Sequence, residues 1–408
     1  MNTKARVRRG PWLWMVGALF LTAPAIALRL AGVEMSPLTE AAIFGIGIVA
    51  AAFLLAWATE VAQMDVSQAL ALAALALIAV LPEYAVDGFF AWRAANDPTY
   101  VHYATANMTG GNRLLIGVGW SMVVFLVWLK FRQRVVHLQK HQRVELSFLA
   151  LATLYSFVIP IKGTISLVDS AVLVTLFGLY LWASSRAGVE EPELVGPAAV
   201  LGSLRTRWRR TLVLFFFGFS AAVILASAEP FAEGLVHTGK QFSIDEFILV
   251  QWIAPLASEA PELVVVAIFA LANKGPQALG AVVSSKVNQW TLLIGTLPVI
   301  YSISLGSVGS LTLDARQAEE ILLTSAQSAF GLAVLASMSL SVKEALALFL
   351  LFSVQLVFPD PTVRYVFVGI YLVLAVGLFI RHAETRSGLL AMLKAPFTGL
   401  RRGFNGEG

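Results

Sequence analysis

Cysteine is missing from all 408 residues. Its absence excludes a disulfide framework and a zinc–thiolate site. Charge is scarce as well. Asp, Glu, Lys and Arg make up 13% of the chain, against about 25% in soluble domains. A single soluble globular protein is thereby excluded. The formal net charge of +4 is too small, and too unevenly placed along the chain, to mark a nucleic-acid-binding protein. Histidine is limited to five residues, all near the ends of apolar runs or in loops, which argues against a histidine metal site. No polar segment is long enough to form a separate soluble domain.

What is present is apolar: 58% of the residues are hydrophobic. A helix of about 20 apolar residues spans a bilayer core. Such runs predict twelve spans, near 12–31, 37–62, 66–95, 99–130, 145–163, 169–187, 209–236, 243–272, 276–306, 318–338, 342–358 and 363–381. The first follows Arg6, Arg8 and Arg9 but continues through Pro24 to Arg29, too long for a signal peptide. It is expected to be a retained span. An even span count places both termini on one side. With that side cytoplasmic, 21 of the 29 Lys and Arg fall in cytoplasmic segments, six at outer ends and loops, and two within spans. This bias is the positive-inside pattern. The basic runs at 130–143 and 205–210 therefore read as topology signals, with contact to anionic lipid a secondary role. The expectation is a multi-pass protein of the cell's inner (plasma) membrane, with membrane lipids and inorganic cations as partners and no nucleic acid.

Two prolines stand inside long spans, Pro82 in 66–95 and Pro261 in 243–272. Each removes a backbone hydrogen bond and frees a carbonyl, here those of Ile78 and Ala257. The prolines belong to matching blocks. Leu81-Pro82-Glu83 is followed by Asn107, Asn112 and Leu114-Leu115-Ile116-Gly117. Ala260-Pro261-Glu262 is followed by Ser284-Ser285-Lys286, Gln289 and Leu292-Leu293-Ile294-Gly295. Glu60 matches Glu229, and Asp169 to Leu173 resembles Lys343 to Ala347. Segments 37–187 and 209–358 thus read as two five-helix units, the second inverted by the odd number of spans. Inverted repeats with broken helices are a transporter signature. The full division is a cytoplasmic N-terminus with an extra helix (1–36), a first repeat (37–187), a cytoplasmic linker (188–208), a second repeat (209–358), and an extra helix with a basic tail (359–408). The fold class is all-α.

Ionisable residues inside a membrane are costly and mark function by default. Those at midspan are Glu83, Asp87, Arg113, Glu259, Glu262 and Lys286. Glu83 and Asp87 share a helix face, as do Glu259 and Glu262, and Ser258 and Glu262. Carboxylate, hydroxyl, amide and freed carbonyl oxygens are what Ca²⁺ or Na⁺ requires. Hairpin turns near Asp97 and Lys274 would bring Glu83 to the depth of Arg113, and Glu262 to that of Lys286. Each glutamate is then expected to have a basic neighbour, either as a structural ion pair or as a side-chain cation occupying ion space. If all four acids ionise, the midspan charges leave two negative ones in excess, enough for one divalent cation, two monovalent ones or two protons. Glu319 and Glu320 begin a span on its watery side and read as structural. Glu60 and Glu229, near span ends, read equally as lining an access route or as facing water.

These motifs resemble the cation/Ca²⁺ exchanger superfamily, whose sodium/calcium exchanger membrane region occurs twice per chain. The resemblance covers about 37–358 and implies ten core helices in two inverted repeats, here with one extra helix at each end. Pro82-Glu83, Pro261-Glu262, Ser285, Gln289 and the Leu-Leu-Ile-Gly runs fit the family pattern. Asn112, or in another register Asn107, fits its asparagine. Ala79-Val80 and Ser258-Glu259 replace the family's Thr-Ser, and Lys286 stands where an ion-binding Asn or Asp is expected. The resemblance implies a secondary-active antiporter that exchanges Ca²⁺ against Na⁺ or H⁺ at a mid-membrane site by alternating access. Glu83 and Glu262 would be its central carboxylates. Ser258, Glu259, Asn107, Asn112, Ser285 and Gln289 would complete an oxygen cage. Lys286, Arg113 and Asp87 would compensate charge or couple the ions. No resident cofactor is expected. The alternatives are a Na⁺/H⁺-type antiporter in which Lys286 replaces one ion, and a non-transporting membrane protein or lipid-directed enzyme.

Overall fold

The computed structural model describes residues 9–33, 35–65, 80–185, 194–358, 360–381 and 386–388. Ile78 and Ala79, with the start of the third expected span, lie outside them, as do most of the linker's first part and the basic tail. Long apolar segments satisfy their backbone internally, and helices dominate the described chain. In order they are α1 (Arg9–Ala31), α2 (Pro37–Ala62), α3 (Leu81–Ala94), α4 (Tyr100–Phe131), α5 (Lys140–Lys162), α6 (Leu167–Ser185), α7 (Gly196–Gly202), α8 (Thr206–Phe242), α9 (Glu246–Leu271), α10 (275–305), α11 (Ala315–Leu335), α12 (Val342–Val357) and α13 (Pro361–Arg381). Apart from the short α7, eleven of these follow expected spans within a few residues at most ends, and α3 covers the described part of the third. Eight are long and apolar enough by themselves to cross a bilayer. The chain is an all-α, multi-pass membrane protein.

The chain divides into two compact units. The first comprises α1, α2, the start of α3 as far as Val86, α7, α8, the start of α9 as far as Leu249, and the Ala257–Pro261 stretch of α9. Here α2 and α8 lie against each other along most of their length. Gly234 permits this: a Cβ there would stand 2.8 Å from the Ala41 nitrogen. Met15, Leu54, Trp57, Val61, Leu201 and Phe216 form an apolar core near one end. Ion pairs tie the ends of the helices. Arg29 meets Glu229 at 2.6 Å, with both side chains about half exposed. Asp65, just past α2, takes two hydrogen bonds of 2.8 Å from Arg209 and one of 3.0 Å from Arg210. Glu229 is thus an ion-pair partner. At 37 residues α8 is longer than its apolar run, because it continues through polar residues to Phe242.

The second unit holds the rest of α3 and α9, the remaining helices and two short antiparallel strand pairs that the hydropathy pattern gives no sign of. Val135–His137 (β1) pairs with Ser339–Ser341 (β4), and Thr164–Ser166 (β2) with Ser310–Thr312 (β3). Each pair joins a loop of one repeat to a loop of the other. The corresponding strands of the two repeats stand the same 175 residues apart. Ser166 and Ser341 then open equivalent helices, hydrogen-bonded to Asp169 and Glu344. In both repeats the Leu-Leu-Ile-Gly helix loosens into a π-helical turn, Leu115–Trp120 in α4 and Gln289–Leu293 in α10. Such turns insert one residue and recur at functional sites. At Gly110 the α4 backbone presses on α9: a Cβ there would lie 1.8 Å from the Gln251 carbonyl oxygen.

Candidate functional site

The Pro261-Glu262 block is part of one continuous helix, α9, with Pro261 inside it. Ser258 and Glu259 are buried on this helix and Glu262 is half-buried. From α10, Ser285 donates a 2.5 Å hydrogen bond to Glu262 Oε2. This juxtaposition matches the hairpin reading. Glu83, at the start of α3, is buried, as is Gln289 in the π-helical turn of α10.

Lys286 is fully buried, and its ammonium is held by α4. Nζ donates to Asn112 Oδ1 at 2.8 Å and to the Asn112 carbonyl at 3.2 Å, and lies 4.2 Å from the centre of the Trp290 ring. Asn112 Nδ2 in turn donates to the Met108 carbonyl at 2.8 Å. Asn112, expected among the ion ligands, therefore serves a lysine in this structure. Asn107 Nδ2 donates to Asp87 Oδ1 at 2.8 Å, and both residues are buried.

Arg113 departs from the expected pairing with Glu83. Its ion pair is with Glu320, Nη2 to Oε2 at 2.6 Å, and its guanidinium stacks 5.0 Å over Trp252. Hairpin depth alone suggested Glu83. The rotation of α4 turns the side chain towards α11 instead. Glu319 and Glu320 are not on a watery helix end either, being 8% and 2% exposed. Glu320 Oε1 meets Arg364 Nε at 2.9 Å, and Arg364 Nη1 meets Glu319 at 3.2 Å. Gln251 Nε2 adds bonds to Glu320 and to Thr109. Arg364, expected at the outer end of the last span, lies near the start of α13 and is buried. These four charges cancel. Arg113 thus drops out of the midspan count, which leaves Glu83, Asp87, Glu259 and Glu262 against Lys286, three negative charges in excess if all four carboxyls ionise. Sequence reasoning missed this cluster, although one signal was available. Gln317, Glu320, Thr324 and Gln327 recur at spacings of three and four, a polar stripe along α11. Among the described residues no group of three or more His, Asp or Glu side chains converges on a metal-sized point.

The duplicated blocks have a counterpart among known proteins. The family model for "sodium/calcium exchanger protein" matches residues 37–186 and 212–359. The chain belongs to this family. The two matched stretches coincide with the two repeats within a few residues, and α1 and α13 fall outside both. Among solved structures, this exchanger-family chain is similar to the crystal structure of the H⁺/Ca²⁺ exchanger CAX, at 46% identity over 96% of this chain and 98% of that one, with a TM-score of 0.91. It also shares its fold with native YfkE, at 16% identity and a TM-score of 0.60, covering 89% of this chain and 99% of that one. A third likeness is to the sodium-calcium exchanger NCX_Mj, at 16% identity and a TM-score of 0.51, covering 84% and 99%. A comparison with curated protein sequences finds no match.

Proposed function

We propose that this family member is a cation antiporter that moves Ca²⁺ across the membrane in exchange for H⁺. The observation that carries the choice of ions is the 46% identity, over nearly the whole chain, to a structure of an H⁺/Ca²⁺ exchanger. The fixed ammonium of Lys286 agrees with it, because a built-in cation leaves less room for several Na⁺ ions. In this reading Glu83 and Glu262 are the central carboxylates, with Ser285 orienting Glu262. Ser258, Glu259, Asn107 and Gln289 supply further oxygens. Lys286 and Asp87 set the charge that the cargo must match. Asn112 acts one step removed, by holding Lys286. Arg113 acts from the neighbouring ionic cluster and not as a partner of Glu83. The bias of basic residues along the sequence supports both termini lying on the cytoplasmic side of the inner membrane.

Radiolabelled Ca²⁺ flux in proteoliposomes, with H⁺ and Na⁺ gradients imposed separately, tests this. A pH gradient drives Ca²⁺ uptake, and Glu83→Gln or Glu262→Gln abolishes it while the protein still folds. Flux driven by Na⁺ alone makes the chain a Na⁺/Ca²⁺ exchanger instead. No cation-coupled flux under any gradient overturns the antiporter reading.

A further inference from the structure

Gln317 ties the start of α11 to the start of α4. Its Nε2 lies 2.7 Å from His102 Nδ1. The side chain is buried, and the other end of its amide is already committed. Oε1 accepts the Asp314 backbone N–H at 3.0 Å, while Asp314 Oδ1 accepts the Gln317 backbone N–H at 2.8 Å. This reciprocal pair is a helix capping box. It fixes which way the amide points, so Nε2, which can only donate, faces the imidazole. His102 Nδ1 is then the acceptor, and the proton of the neutral ring sits on Nε2.

The internal repeat supplies a second copy of this joint. Gln139 and Gln142 stand 175 residues before Asp314 and Gln317, the same separation as between corresponding strands. The Gln139 N–H bonds to Gln142 Oε1 at 2.7 Å, and Gln142 Nε2 donates at 3.3 Å to the Pro276 carbonyl at the start of α10. The acceptor is what differs. A carbonyl keeps its lone pairs at any pH. An imidazole nitrogen gives up its lone pair when it binds a proton, and histidine changes charge near neutral pH. In an inverted repeat the two joints belong to opposite membrane faces, so one face has a titratable joint and the other a fixed one.

The side chains of His102 and Asp314 are 37% and 46% exposed, open to protons from solution. Asp314 Oδ2 lies 3.3 Å from His102 Nδ1. Other charged groups stand on the surrounding elements. Arg316 and Glu319 follow on α11, and Arg364 of α13 is turned to Glu319 and Glu320. Arg93 of α3 lies over the Tyr100 ring, and Asp97, in the turn before α4, accepts from Thr99. Lys286 of α10 is held farther along α4 by Asn112. A protonated Nδ1 would present N–H to the N–H of Gln317, and Asp314 Oδ2 is the acceptor within its reach.

We propose that His102 is a proton-operated switch at the face where α4 begins, the outer face in the orientation given above. The neutral ring accepts from Gln317 and pins α4 to the body of α11. The protonated ring releases Gln317 and pairs with Asp314, in the loop before α11. α4 carries Asn107 and Asn112, and α11 carries Glu320, which holds Arg113, so loosening this seam slows exchange. His102 regulates and carries no cargo. The proposal rests on the chain moving Ca²⁺ and is independent of the counter-ion.

Ca²⁺/Ca²⁺ exchange, which moves no net proton, separates regulation from coupling. It is measured in proteoliposomes of uniformly oriented protein, with the pH of each face set separately. Acidifying the face where α4 begins, from about pH 8 to about pH 5, gives the wild-type chain a step that His102→Gln lacks. Its size is about fivefold, the weight of one net hydrogen bond. In His102→Gln the new Oε1 accepts from Gln317 at any pH. Competition of protons for the ion-binding carboxylates is common to both chains, so the difference between them is the readout. Asp314→Asn keeps the cap without the charge and moves the step to more acid pH. Acidifying the opposite face gives no step that depends on His102. Identical pH profiles for the wild-type chain and His102→Gln overturn the switch. Ring-nitrogen NMR of histidine in the detergent-solubilised protein needs no transport, and loss of a signal in His102→Gln assigns it. The neutral ring is expected to carry its proton on Nε2, and a proton on Nδ1 overturns the switch whatever the flux. Wild-type protein without Ca²⁺ flux at any pH, but with the expected ring, overturns the Ca²⁺ reading and supports the switch.

Discussion

Lys286 shows how a single side chain fixes what a transport site can hold. Its ammonium is fully buried, and a buried charge must be compensated, so its hydrogen bonds to Asn112 and its contact with the Trp290 ring face serve the fold as well. With Arg113 neutralised by Glu320, Lys286 is the remaining midspan cation among the residues singled out from the sequence. It offsets one of the four negative charges that Glu83, Asp87, Glu259 and Glu262 carry when all are ionised. Lys286→Asn removes that offset and makes room for one more cation. Its H⁺ dependence is expected to weaken and its dependence on membrane potential to grow, as measured by Ca²⁺ flux at clamped potentials in proteoliposomes. Unchanged proton coupling and voltage dependence in a well-folded variant would reduce Lys286 to a structural role. A buried ion pair broken by removing one partner costs about 3–5 kcal/mol, and this is why Arg113 and Glu320 count as structural elements first.

Helix contacts in this chain depend on small residues and on terminal ion pairs. Gly110 lets the α4 backbone touch α9, and a methyl group there would meet the Gln251 carbonyl at 1.8 Å, well inside any tolerable contact. Gly110→Ala must push the two helices apart and strain the Gln251 bonds to Thr109 and Glu320. A loss of at least about 1–3 kcal/mol is expected, visible as a lower melting temperature in detergent. At the end of α2, the hydrogen bonds from Arg209 hold the Asp65 carboxyl below its usual range, and those from Arg210 add to the effect. A group whose folded pKa is depressed stabilises the fold at pH values above its unfolded pKa, about 3.9 for Asp. That stabilisation disappears as the pH falls through the lower, folded value. Asp65→Asn should therefore melt below the wild-type chain at neutral pH, and the two melting curves should converge in strong acid.

Across the whole molecule, the parts read correctly from sequence are those written in local runs. Twelve apolar segments, the doubled Pro-Glu and Leu-Leu-Ile-Gly blocks and the extra helices at 12–31 and 363–381 all depend on residues within about 30 positions of one another, and the helices follow them closely. The hairpin between adjacent helices set Glu262 level with Lys286, and the residue that bonds it is the neighbouring Ser285. The partner of Arg113 was not legible. Depth in a hairpin says nothing of helix rotation, and Glu320 and Arg364 reach Arg113 from helices far along the chain. The strand pairs escaped notice because three-residue strands leave no periodicity to read. The sequence by itself therefore determined a membrane-spanning, internally repeated, acid-bearing helical protein, since hydrophobic length and motif duplication are properties of the linear chain. The tertiary structure decided which acids are paired with arginine and which asparagine holds Lys286. The physical reason is that, inside a bilayer, the charge state of a buried group is set by the few side chains within hydrogen-bonding distance, and packing chooses those side chains.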